Sequence, residues 1–184
     1  MAEAGTDTRA RILRIAGELF ARQGYVGTSM RDIAERLGTS KQALAYWFPH
    51  KEDLLEALVG PTIAALDDLL SDAEAHPREP VTLLREVLDV TLAVPGPGAA
   101  VDIPGVLAAQ DARFSVSHRF DRLAALLAGP GADADALLRA HAAIGALQNG
   151  MRAAAGSGTP PSPDALARAV DVLVPAAVAA LGRG

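Results

Sequence analysis

Apolar residues recur along this chain at intervals of three and four and never alternate over the length of a strand, so the pattern is helical throughout. In "TDTRARILRIAGELFARQG" (6–24), Ile12, Ile15, Ala16, Leu19 and Phe20 share one helical face, with arginines on the others. Thr6, Asp7 or Thr8 suits the start of this helix, which leaves residues 1–5 as a loose tail, and Gly24 suits its left-handed exit. Ser29, with Asp32 three residues on, forms a capping-box pattern for a second helix that buries Ile33, Ala34 and Leu37 and closes at Gly38. Thr39 or Ser40 opens a third helix with Leu44, Trp47 and Phe48 inward, and Pro49 stops it.

The remaining pattern is also helical. "KEDLLEALVGPTIAALDDLLSDAEAH" (51–76) reads as one long amphipathic helix with a kink expected near Gly60-Pro61, where proline lacks a backbone donor. Another helix is expected over 80–94, followed by a break at "PGPG" (95–98). Residues 101–128 hold two helices separated near 111–115, and "GPGAD" makes a turn. Two Ala/Leu-rich helices over 133–155 and 163–182 follow, joined by "GSGTPPSP", with Pro175 expected to kink the last. The expected fold is all-α with about nine helices and no internal repeat: a three-helix head over 1–50 and a larger helical body over 51–184.

Composition agrees. At 184 residues and 50% apolar, the chain suits a small head on a larger body with a sizeable core. The absence of cysteine excludes disulfides, thiolate catalysis and Cys-ligated zinc. The apolar runs are short and interrupted, and no cationic-then-apolar leader pattern opens the chain, so a cytoplasmic protein without a membrane partner is expected. A net charge of −5 speaks against an indiscriminate nucleic-acid coat. Residues 1–55 nevertheless carry eight basic against seven acidic residues, and the rest nine against fifteen.

The stretch "SMRDIAERLGTSKQALAYWF" (29–48) holds the informative geometry. Two short helices joined by a tight glycine-containing turn and sharing an apolar face make a helix-turn-helix, whose second helix can project into a DNA major groove. With Leu44, Trp47 and Phe48 inward, Lys41, Gln42, Ala43, Ala45 and Tyr46 are left outward. A plain helical hairpin beneath a core has the same periodicity.

The residue string narrows this. "LF" (19–20), "GY" (24–25), "TS" (28–29), "DIAERLGTS" (32–40), "YWF" (46–48) and "KEDLL" (51–55) together resemble the N-terminal domain of the TetR family of transcriptional regulators, over residues 9–55. The resemblance implies a homodimeric, ligand-responsive repressor that binds a palindromic double-stranded DNA operator. It implies that Arg31, Lys41 and Gln42 read base edges, arginine suiting guanine and glutamine adenine, while Thr28, Ser29, Tyr46 and Lys51 meet phosphates. Gln42-Ala43 stands where the family commonly has a pair such as Gly-Thr, and Ala45 where it commonly has Tyr. An alanine there can pack on a thymine methyl. His50 likewise replaces the more usual serine.

The body carries no family signature. Polar residues on its apolar helices, including Thr91, His118, His141 and Gln148, mark a possible effector pocket, with Leu88, Leu107, Phe114 and Met151 as apolar neighbours. The resemblance implies that helices holding His118 and His141 wall this pocket, that the effector is a small molecule, and that the last two helices form the dimer interface. Four scattered histidines without a carboxylate at helical metal spacing argue against a metal site, and no other cofactor is expected. No Gly-rich phosphate loop and no Ser-His-Asp cluster supports an enzyme. A helical interaction protein that ignores DNA would leave the 29–48 string unexplained.

Overall fold

Eight α-helices and no strand make up the described residues of the computed structural model, 2–92, 115–155 and 163–182. They are α1 (Ala2–Gly27), α2 (Met30–Leu37), α3 (Lys41–Trp47), α4 (Lys51–Ala75), α5 (Pro80–Leu92), α6 (Val116–Ala128), α7 (Ala134–Ala155) and α8 (Pro163–Ala180). The additional helix expected between 101 and about 111, the "PGPG" break and the "GSGTPPSP" loop through Ser162 lie outside the described residues.

Local chemistry places the head helices. The Ser29 hydroxyl accepts from the Asp32 amide at 3.2 Å while Asp32 Oδ2 accepts from the Ser29 amide at 2.8 Å, so the capping box is formed. Those bonds, that from the Ser29 amide foremost, hold the Asp32 carboxyl below its ordinary value. Gly38 ends α2 at φ 71°, a left-handed conformation that costs glycine little. Ser40 caps α3 by accepting from the Ala43 amide at 3.1 Å. The loose tail expected over 1–5 is corrected: α1 starts at Ala2, because alanine and glutamate sustain a helix through the cap candidates Thr6–Thr8. Gly24 interrupts α1 with φ 76° and ψ 159°, a break ahead of the helix end at Gly27 rather than the left-handed exit expected for it.

Among the described residues, the buried ones form two clusters. The first joins Ile12, Leu19, Phe20, Ile33 and Leu44 from α1–α3 to Leu54, Leu55 and Val59 at the start of α4. The second joins Leu70 at the end of α4 to Leu84 and Leu88 of α5, Leu127 of α6, Ile144 of α7 and Val174 of α8. Helix α4 therefore belongs to both, and it runs through Pro61 without ending. Phe120 of α6 also packs against both clusters. Helices α7 and α8 meet at Gly150, where a Cβ would lie 2.3 Å from Leu173 Cδ2 and would make that side chain shift.

Arginines tie α6 to α4. Arg119 Nε donates to Asp67 Oδ1 at 2.8 Å, and Arg122 donates to Glu74 through Nε at 2.8 Å and Nη2 at 3.0 Å. Hydrogen bonding from Arg122, then its charge, holds the Glu74 carboxyl below its ordinary 4.5. A carboxyl so depressed adds stability above its unfolded value and loses it as pH falls through its native value. Arg122→Gln is therefore expected to lower the melting temperature near neutral pH, with the deficit shrinking as the solution is acidified below about pH 4. A deficit of equal size at every pH in thermal melts would show that the Glu74 contact contributes nothing.

Candidate nucleic-acid interface

Helices α2 and α3 meet across Gly38–Ser40 and share Ile33, Ala34 and Leu44, all buried, so the outer face of α3 is fixed relative to the head core. On that face Lys41, Gln42 and Ala43 are exposed and Ala45 is half-buried. Tyr46 is 83% exposed, its ring edge-on to Trp47 with centroids 5.6 Å apart. Trp47 is half-buried against the head core. Arg31, in the first turn of α2, is exposed and donates to Glu35 Oε1 at 2.8 Å. That bond holds the guanidinium proton more tightly, so the cation is kept but shared with a carboxylate. A base or phosphate would have to compete with Glu35 for it.

Two expected phosphate contacts have partners inside the head. Thr28 is 1% exposed; its hydroxyl donates to the Gly24 carbonyl at 2.8 Å and accepts from Gln23 Nε2 at 3.2 Å. The Lys51 ammonium donates to the carbonyls of Tyr25 and Thr28, both at 3.0 Å. Ser29 is exposed, and its hydroxyl hydrogen remains available while its oxygen caps α2. Residues 28–51 thus bring together Arg31, Lys41, Gln42 and Tyr46 as exposed groups and turn Thr28 inward.

Of the eight residues expected to line an effector pocket, six lie among the described residues. Leu88 is buried in the body core, and the Thr91 hydroxyl donates to the carbonyls of Val87 and Leu88 in its own helix, both at 2.9 Å. His118 and His141 are exposed, His141 lying 3.6 Å from Asp121 Oδ1. Periodicity groups residues on a face but does not say which face a body helix turns outward. Gln148 and Met151 are half-buried, Met151 against the body core. Leu107 and Phe114 lie outside the described residues. Sequence reasoning missed the packing of Lys51 on Tyr25; the quoted "GY" and "KEDLL" pairs were the available signal.

A short capped helix pair, an exposed polar face on the second helix and a separate helical body define a helix-turn-helix head carried on an all-helical scaffold. Residues 12–58 match the family described as bacterial regulatory proteins, tetR family. The HTH-type transcriptional regulator AcrR of Shigella flexneri is 32% identical over 83 residues, 45% of this chain and 39% of that protein. The chain thus spans about two fifths of the length of this curated relative. Among solved structures, a putative transcriptional regulator from Saccharomonospora viridis in complex with choline has a TM-score of 0.57 at 20% identity, covering 97% of each chain. The TetR family protein CprB from Streptomyces coelicolor, in complex with its biological operator sequence, has a TM-score of 0.55 at 21% identity, over 93% of this chain and 96% of that one. At these identities the two structures establish the shared fold. No described helix is long and apolar enough to cross a membrane.

Proposed function

We propose that this protein is a cytoplasmic, homodimeric transcriptional repressor without enzymatic activity, which binds a palindromic DNA operator and is released by a small-molecule effector. The observation that carries the reading is the exposed face of α3, Lys41, Gln42, Ala43 and Tyr46, held on a capped helix-turn-helix. Lys41 and Gln42 occupy the first turn of α3, the end that a recognition helix presents to base edges. Arg31, Lys41 and Gln42 are assigned to bases, and Ser29 and Tyr46 to phosphates. Residues 1–50 form the DNA-binding head and 51–184 the regulatory and dimerisation body. The operator and choline complexes of the two fold relatives support both halves of this reading.

Binding to the DNA upstream of the protein's own gene, measured by fluorescence anisotropy against a random duplex, tests it. Gln42→Ala is expected to cost about 1–3 kcal/mol on the operator and to relax one base position, because a bidentate amide contact to adenine is lost. Equal losses on operator and random DNA would remove Gln42 from the base-reading set.

A further inference from the structure

Lys51 is the first residue of α4, yet its side chain reaches back to the exit of α1. Its ammonium donates to the Tyr25 and Thr28 carbonyls and stands 4.1 Å from the centre of the Tyr25 ring. Carbonyls at a helix C-terminus carry partial negative charge, and a lysine is a suitable cap for them. The ring is itself held: Tyr25 is 4% exposed, stands edge-on to Phe20 at 5.2 Å, and donates through its hydroxyl to Glu52 Oε1 at 3.2 Å. Thr28, on the other side, immediately precedes the N-cap of α2.

We infer that Lys51 is a positioning residue for DNA binding, closing residues 28–51 into a ring whose two ends are both held by α4. One end is covalent, through Phe48–His50 from α3; the other is the charge-assisted bond from Lys51 to Thr28. A shift of α4 then moves the helix-turn-helix as a unit, and loss of the ammonium loosens the start of α2 from α4, leaving the Tyr25–Glu52 bond as the neighbouring tie. This rests on the DNA-binding reading above.

A positioning lysine and a phosphate-binding lysine leave different signatures. Non-specific binding depends on phosphate charge and tolerates small errors of orientation, whereas base reading does not. Removing a phosphate contact weakens operator and random DNA together and lowers the log–log salt slope by about 0.9. Removing a positioning contact weakens the operator selectively and leaves the slope unchanged.

The test uses the full chain carrying Lys51→Met and two duplexes, one selected by the wild-type protein from a random pool and one unselected. Active protein is fixed by stoichiometric titration, and anisotropy is followed across salt concentrations. Operator affinity is expected to fall roughly tenfold, as for loss of one charged hydrogen bond, with the unselected duplex and the slope unaltered. Parallel weakening with a reduced slope overturns the inference in favour of a phosphate contact. Unchanged operator affinity in the active fraction overturns it in favour of a role in stability alone. Should Lys51→Met not fold, nitrogen NMR of the wild-type ammonium decides: a slowly exchanging resonance in free protein, unmoved by operator, supports the inference. A Lys51 ammonium resonance that is protected only on DNA and coupled to phosphorus overturns it. If the wild-type protein selects no duplex, the DNA-binding reading itself fails and the inference with it.

Discussion

Replacing Ala146 or Val172 by arginine is expected to turn the proposed dimer into a monomer that no longer holds its operator tightly. On α7, Leu138, Ala142, Ala146, Asn149 and Ala153 are all exposed and follow one another at steps of three or four, which places them on one face. The opposite face of the same helix, Ala140, Ala143, Ile144 and Leu147, is already buried in the body core. On α8, Val172 is 68% exposed and Ala176 and Ala179 are exposed with it, while Val174 and Ala177 are buried. Both helices therefore bury one apolar side within the chain and leave a second, mostly of small side chains that allow close approach. Two-fold pairing of these faces supplies two recognition helices for two half-sites. Joining two half-sites in one molecule raises affinity by roughly 10²–10⁴ over one alone, and that factor is what the arginine removes. Val178, on the same helix, is half-buried against the body core, so arginine there would damage the fold and decide nothing. Sedimentation equilibrium beside a thermal melt is the measurement. Dimers that persist in both well-folded variants would move the interface elsewhere.

How far the sequence was legible follows the range of the interactions involved. The capping box at Ser29–Asp32, the left-handed exit at Gly38 and the Ser40 cap were all readable, since each is a side chain bonding to backbone within three residues or a glycine adopting a local conformation. The start of α1 was not, because Thr6, Asp7 and Thr8 offer caps that the preceding alanines and glutamate outweigh. The outward set of α3 was readable because its apolar residues occupy a single face. The exposure of His141 was not readable, because the alanines beside it, Ala140, Ala142 and Ala143, give little contrast between faces. The inward course of Lys51 depends on α4 packing beside α1, a contact between residues 26 apart, which periodicity cannot supply.

The largest effect expected is reciprocal: a ligand that releases the protein from DNA must itself bind the operator-bound protein more weakly by the same factor. Moving the population from one per cent released to 99 per cent takes differential affinity of about 10⁴, or about 5.5 kcal/mol. The path for that coupling is short. Helix α4 contributes Leu54, Leu55 and Val59 to the head core and Leu70 to the body core, and Lys51 ties its first turn to the base of the helix-turn-helix. Helix α6 grips α4 through Arg119–Asp67 and Arg122–Glu74 and lays Phe120 against both cores. A ligand that displaces α6 or the body half of α4 thus has a route to the head without touching DNA. Calorimetry of each ligand found by thermal-shift screening, with and without saturating operator, should show affinity falling when DNA is bound. Phe120→Ala should reduce that coupling by about 0.5–2 kcal/mol, as for residues lying between coupled sites. A ligand bound with equal affinity in both conditions is no effector, and if every body-binding ligand behaves so, release by a small molecule is the wrong mechanism for this protein.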